Sequence, residues 1–168
     1  LTGQLLALAR AENEGEKSEK SVCDLSLTVE GVLLEFDPVC FEQNRQLTSS
    51  IEPGLNVRGS SAKFAELTQI LLDNAVKYSR PGGRITVMLR ALGSRRCELT
   101  VADEGEPIGP EEASRIFKRF YRAERHKQSP GFGLGLAIAE STVKRARGRI
   151  RCESADGWNS FIVELPRI

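Results

Sequence analysis

"RITVMLRALGSRRCELTVAD", residues 84–103, is the stretch that decides the fold. Two runs rich in apolar and β-branched residues flank Gly93-Ser94, and each alternates apolar with polar over part of its length. They read as strands joined by a short turn. "RIRCES" (149–154) and "NSFIVELP" (159–166) repeat the arrangement around Asp156-Gly157. "QLTSSIEPGLNVRG" (46–59) holds two more short strand-like runs around Glu52-Pro53-Gly54, a hairpin signal.

Helical patterns lie between these pairs. "CDLSLTVEGVLLEFDPVCFEQN" (23–44) places Val29, Val32, Leu33, Phe36 and Cys40 on one face, with Ser26 as cap and a bend expected at Pro38. "SSAKFAELTQILLDNAVKYS" (60–79) opens on a serine cap, stripes Phe64, Leu67, Leu71, Ala75 and Tyr78, and is ended by "RPGG". "PEEASRIFKRF" (110–120) starts with Pro110 in its first turn and acids behind it. "GLGLAIAESTVKRARG" (133–148) ends in basic residues with Gly148 as stop. Adjacent strand pairs and intervening helices predict an α+β fold. It is a two-layer α/β sandwich with a mixed, mostly antiparallel sheet and helices on one face. The strict β-α-β alternation of a doubly wound nucleotide fold is absent.

The 168 residues suit one domain with a real core. A net charge of +1 gives no case for a nucleic-acid partner, and no apolar run is long enough to span a bilayer. Cys23, Cys40, Cys97 and Cys152 form no CxxC pair and read as buried thiols. "LTGQLLALARAENEGEKSEK" (1–20) places Leu1, Leu5 and Leu8 at helical spacing, then turns polar. It reads as a helix end and linker before a domain at 21–168. The start at Leu1 suggests a piece of a longer protein.

Four segments carry chemistry. On the 60–79 helix, Asn74, Lys77 and Tyr78 share one side, beside Asp73. An amide oxygen suits Mg²⁺, and an ammonium neutralises phosphate as a point charge. Taken alone, they are better explained as a solvated last turn. In "TVADEGEPIG" (100–109) Asp103 follows a strand and precedes Glu104 and Gly105. It is placed to accept from a ligand's amino group, or else to make an ordinary Asp-Gly turn. In "GFGLGLAI" (131–138) Gly131, Gly133 and Gly135 lead straight into a helix, where backbone N–H groups can approach phosphate. The spacing fits neither a dinucleotide fingerprint nor a P-loop. Between these turns, Arg115, Lys118, Arg119, Arg122, Arg125 and Lys127 make a basic segment that reads as a lid or as an exposed basic face.

In this order, the segments resemble the ATP-binding catalytic domain of sensor histidine kinases, within the superfamily of gyrase, the MutL repair proteins and the heat-shock chaperone ATPases. "LTQILLDNAVKYSRPGGRITV" resembles the asparagine box, "VADEGEPIGPEEASRIFKRFYRAE" the first glycine box and phenylalanine box, and "GFGLGLAIAESTVKRARGRIRCES" the second glycine box. The likeness covers roughly residues 21–166. It implies a Bergerat-type fold, ATP and Mg²⁺. It also implies that Asn74 coordinates the metal, that Lys77 and Tyr78 contact phosphates, and that Asp103 accepts from the adenine amino group. Gly105 would admit the purine, and Arg122 would reach the γ-phosphate. Gly131, Gly133, Leu134 and Gly135 would line the phosphate end, while Phe117 and Phe120 would anchor the lid.

The partners implied are an upstream dimerisation hairpin carrying the phosphoacceptor histidine, with residues 1–20 resembling the end of its second helix and a linker, a response regulator receiver domain, and a second copy in the full-length protein. The location implied is the cytoplasmic part of a membrane-anchored sensor. His126, the single histidine, lacks an acceptor-box context and reads as a surface residue. Two departures stand out. Pro107 replaces the second glycine of the first glycine box and predicts a stiffer hinge. Ile70 replaces a first asparagine, leaving the metal to Asn74. An ATPase module without a kinase role, or a degenerate nucleotide-binding scaffold, are the alternatives.

Overall fold

The computed structural model describes residues 3–6, 21–121 and 133–168. Residues 3–6 are helical. The rest of the N-terminal segment, Arg122, Arg125, His126, Lys127 and Gly131 lie outside the described residues.

In chain order the elements are β1 (Val22–Asp24), α1 (Leu25–Glu42), β2 (Gln46–Ile51), β3 (Asn56–Arg58), α2 (Ser61–Tyr78), β4 (Arg84–Leu92), β5 (Arg96–Glu104), α3 (Pro110–Arg115), α4 (Gly135–Arg145), β6 (Arg149–Ala155) and β7 (Trp158–Pro166). The main sheet has the order β2-β4-β5-β7-β6. β4, β5, β7 and β6 pair antiparallel, and β2 joins β4 in parallel at the edge. The sheet is therefore mixed and mostly antiparallel.

Strand alternation sorts the faces. Ile85, Val87 and Leu89 on β4 turn inward with Cys97, Leu99 and Val101 on β5 and Phe161, Val163 and Leu165 on β7. They share one core with Val29, Val32, Phe64, Leu67, Leu71 and Val143 from the helices. The other face is a ladder of charge, with Arg90–Glu98 at 3.0 Å, Arg84–Glu104 at 2.7 Å and Arg151–Glu164 at 3.3 Å. One greasy and one charged face make a two-layer sandwich. The cysteines are free, and all but the half-buried Cys152 are buried, as expected.

Three local expectations are corrected. The 46–59 stretch is not a hairpin. Its first run pairs in parallel with β4 (Leu47 opposite Ile85), and its second pairs with β1 (Val57 opposite Cys23). Gly54, at φ 74°, does turn the chain, but Glu52 N–H then donates to the Leu89 carbonyl at 2.9 Å, so the strands part. Ser26 does not cap α1. Asp24 does, accepting from Leu27 N–H at 3.0 Å, while buried Ser26 donates to the Glu52 carbonyl at 2.6 Å and accepts from Leu55 N–H at 3.1 Å. Gly148 is not the left-handed stop of α4, because Arg147 takes that conformation at φ 60°. Gly148 is required instead by closeness, since a Cβ there would strike the Glu164 carbonyl.

Candidate functional site

The last turn of α2, the end of β5 and the start of α4 converge on one edge of the sandwich. Ser79 bridges Gly105, and Arg80 N–H donates to the Glu104 carbonyl at 2.8 Å. These bonds tie the end of α2 to the end of β5. Arg45 fixes the same corner, donating from Nε to Ser79 Oγ at 2.6 Å and from Nη2 to the Ser79 carbonyl at 3.0 Å. A Cβ at Gly135 would lie 3.3 Å from Ile70 Cγ2, so α4 begins against α2. Leu134, fully buried, packs with Ile138 and Ile70. Ile70 thus serves as an apolar seat for the glycine turn.

Asp103 is the centre of this corner. Strand alternation places it inward, in line with Cys97, Leu99 and Val101, at the mouth of the core. It is 4% exposed, and its Oδ1 has no hydrogen-bond partner. Burial pushes its carboxyl up to about 7, and the Asn159 amide and the charge of Arg45 offset only part of that. A buried acceptor without a donor is costly in the empty protein and is a ready point for a ligand N–H. Gly105 lets the backbone pass close beside it. A Cβ there would lie 2.8 Å from the Tyr78 carbonyl and 2.9 Å from Asp103 Oδ1.

Asn159 is a site residue that the sequence reading did not single out. It lies directly opposite Asp103 on β7 and is 5% exposed. Its Nδ2 donates to the Glu106 carbonyl at 2.7 Å, and its Oδ1 accepts from Ser154 Oγ at 2.7 Å. Ser154 Oγ in turn accepts from Ile108 N–H at 3.1 Å. The network pins both sides of Pro107, so the turn after β5 is held by β6 and β7 as well as by the proline ring. The only sequence signal was a polar residue at an inward position of β7.

The phosphate-side candidates are more open. Asn74 is half-buried on α2 and has no hydrogen-bond partner among the described residues. Lys77 pairs with Asp73 at 2.9 Å, one turn back. Tyr78 is half-buried beside Gly105, which approaches its carbonyl. Gly133 has φ 71°. Phe120 N–H donates to its carbonyl at 2.9 Å, and a Cβ there would come within 2.8 Å of the Phe120 backbone. Phe117 packs edge-on to Phe161 with centroids 6.1 Å apart. Phe120 is 57% exposed, so its backbone rather than its ring makes the attachment, which corrects the anchoring role expected of that side chain. Among the described residues no cluster of His, Cys, Asp and Glu can hold a metal unaided. No helix of the described residues is long and apolar enough to cross a membrane.

The site consists of a buried carboxylate beside a closely approaching glycine, an amide and ammonium on the adjoining helix, and a glycine turn opening another helix. Comparisons with known proteins give it a family. The model for histidine kinase-, DNA gyrase B- and HSP90-like ATPases matches residues 59–168. The sensor protein DltS of Streptococcus agalactiae is 31% identical over 167 residues, covering 99% of this chain and 42% of that protein. The sensor histidine kinase RppB of Synechocystis is 33% identical over 170 residues, covering 99% of this chain and 37% of that protein. The solved structure of the mycobacterial sensor histidine kinase MprB superposes with a TM-score of 0.78 at 29% identity, covering 88% of this chain and 97% of that one. The chain thus spans less than half the length of these two curated relatives. It belongs to the histidine kinase-, DNA gyrase B- and HSP90-like ATPase family, as an ATP-binding domain of the sensor histidine kinase type.

Proposed function

We propose that the chain binds Mg-ATP and donates the γ-phosphate to a histidine on an upstream hairpin, as the catalytic domain of a two-component sensor kinase. The observation that carries this reading is the unpartnered Oδ1 of buried Asp103 beside the close backbone approach at Gly105. An adenine amino group supplies the missing donor, and guanine, with a carbonyl at that position, leaves the acceptor unsatisfied.

Asn74 suits the metal, since its amide is uncommitted among the described residues and a hard cation takes an oxygen ligand. When bound, Mg²⁺ neutralises triphosphate charge, and the triphosphate and water supply the rest of its ligands. Lys77 turns from Asp73 toward the phosphates, exchanging a surface pair worth about 0.2–1 kcal/mol for a more highly charged partner. Arg122 reaches the γ-phosphate, and Gly131, Gly133, Leu134 and Gly135 shape the phosphate end at the start of α4. Phosphoryl transfer is mainly positioning and charge neutralisation, so the acceptor hairpin must come from outside residues 21–168. A receiver domain then takes the phosphate. The full-length protein works as a homodimer with this domain on the cytoplasmic side.

The test combines a fluorescent-ATP titration with radiolabelled γ-phosphate transfer to the hairpin, supplied as a separate chain. Transfer in trans is expected and is slow, because no linker raises the local concentration. Asn74→Ala is expected to abolish most of the Mg²⁺ dependence of ATP binding while leaving adenosine binding intact. Acid-labile label on this chain itself would overturn the reading of His126 as a bystander. ATP binding without transfer to the hairpin would favour a nucleotide-binding scaffold.

A further inference from the structure

We propose that the cleft between the carboxyl end of α4 and the end of β7 binds a phosphate-bearing anion, at a site separate from the nucleotide. The proposal does not depend on the kinase reading. The cleft encloses about 400 Å³, and four arginines line it: Arg58 from β3, Arg145 and Arg147 from the end of α4, and Arg167 after β7. No acidic side chain is among the lining residues.

An exposed basic surface is common, and Arg45, Arg95, Arg115 and Arg149 elsewhere also form no ion pair among the described residues, so it is the gathering of four arginines in one cleft that decides. Arg80, Arg84, Arg90, Arg96 and Arg151 each lie within ion-pair distance of a carboxylate. Among the described residues Arg58, Arg145, Arg147 and Arg167 form no ion pair. In the 168-residue chain the terminal carboxylate of Ile168 is the one negative group at the cleft, so the four arginines remain in excess and repel one another unless a further anion joins them.

A second observation points to a ligand. Arg167 Nη1 donates to the Gly93 carbonyl at 3.1 Å, but Arg167 Nε is buried with no acceptor. A buried cationic N–H left unsatisfied is costly, and an oxyanion oxygen is its natural partner. A third concerns Arg147, which occupies the left-handed region at φ 60°, where glycine is easier. The position carries a guanidinium at a conformational cost.

The dipole of α4 opposes an anion here with about half a negative charge, which four guanidiniums outweigh. Guanidinium forks match phosphate oxygens in pairs, and the clustered charge suits an anion carrying two or more charges. A cleft of this volume takes a headgroup or small phosphate rather than a folded partner. α4 has 11 residues, so its two ends stand about 16 Å apart. The anion site and the glycine turn occupy opposite ends of the same helix.

The experiment uses the 168-residue chain with its nucleotide site saturated by Mg²⁺ and a non-hydrolysable ATP analogue. Inorganic phosphate, pyrophosphate and phosphatidylcholine vesicles with or without phosphatidic acid are added separately at low ionic strength. Binding is followed by amide chemical shifts and calorimetry. Pyrophosphate is expected to saturate a single site and to move the amides of 145–149 and 166–168. Arg58→Ser with Arg147→Gly is expected to weaken it at least about tenfold, the loss of one charged hydrogen bond or more. Both residues are exposed and glycine favours the Arg147 backbone, so the variant keeps the fold; Arg58→Ser alone, with a smaller loss, is the fallback. Vesicle binding that requires phosphatidic acid and is displaced by pyrophosphate identifies a lipid headgroup as the source. Saturation by the free phosphates without vesicle binding identifies a soluble one. Absence of saturation, unchanged affinity in the variant, or shifts confined to 71–79 and 103–105 would each overturn the proposal.

Discussion

At the end of β5 two carboxylates, one residue apart, point to opposite faces of the sheet and meet opposite surroundings. Glu104 faces the charged side, where Arg84 and Arg80 bond it at 2.7 and 2.8 Å. The Arg84 hydrogen bonds hold its carboxyl down to about 2. Asp103 faces the core, and burial lifts its carboxyl to about 7. Strand alternation alone separates them by one side-chain direction. A charge answered within the fold is structural, and a buried carboxyl answered only in part, by Asn159 and Arg45, is open to a ligand.

The largest expected effect comes from crowding that carboxyl. Gly105→Ala puts a Cβ 2.8 Å from the Tyr78 carbonyl and 2.9 Å from Asp103 Oδ1, so the backbone must move. Overpacking of this kind costs about 1–3 kcal/mol of stability. ATP affinity is expected to fall by about 100-fold or more, because the displaced atoms are those that meet the base. Titration with fluorescent ATP and a urea melt measure both, and unchanged affinity would refute the purine contact at Gly105.

Next comes Asp103→Asn, expected to cost about 1.5–3 kcal/mol in ATP binding, the worth of a charged hydrogen bond. The pH behaviour sharpens the comparison. Between the ordinary carboxyl value of 3.8 and about 7, the native chain keeps a proton on Asp103 that the unfolded chain has lost. The contribution of Asp103 to stability therefore falls as pH rises through that window and is level above it. ATP affinity runs the other way, because the ionised carboxylate is the better acceptor, and rises by at most about tenfold per pH unit below 7. The asparagine variant should lose both dependences, which calorimetry across pH 5–8 would reveal.

Asn159→Ala is expected to do less, about 1–3 kcal/mol of stability, by unpairing Ser154 Oγ and the Glu106 carbonyl. Its mark is a looser 105–108 turn, read by hydrogen exchange, together with an Asp103 carboxyl pushed higher still, because the Asn159 amide also eases that carboxylate. Rapid exchange in the parent as well would remove the pinning role.

What was legible in the sequence follows the same division between local and distant causes. Alternation along 84–103 fixes two strands and the inward direction of Asp103, because period two is a property of consecutive residues. The pairing of β2 with β4 is not local. It depends on α2 crossing between them, so a proline-glycine turn at 53–54 looked like a hairpin. Ser26 looked like a cap because capping is judged from neighbours, whereas its partners, Glu52 and Leu55, are remote in sequence. Asn159 was invisible for that reason, since its value lies in standing opposite Asp103. The family boxes named Phe120, but its backbone is left-handed at φ 63° and its ring is exposed, neither of which a local pattern reveals.

The smallest effect on binding is expected at the neighbouring carboxylate. Glu104→Gln removes the charge that Arg80 and Arg84 share, but it touches the face of the sheet opposite Asp103. Arg84 also lies 5.1 Å from the centre of the Trp158 ring, which retains its stem. Nucleotide affinity should therefore stay within about twofold of the parent, as for an exposed ion pair. The change belongs in the acid limb of stability. In the parent the native Glu104 stays ionised down to about 2, whereas the unfolded chain takes up its proton near 4.5. This stabilisation is complete above 4.5 and is lost as pH falls toward 2. The glutamine variant should melt lower than the parent at pH 7 and converge on it near pH 2. A variant whose nucleotide affinity fell as far as that of Asp103→Asn would show that the two faces are coupled, and the separation by strand alternation would then fail.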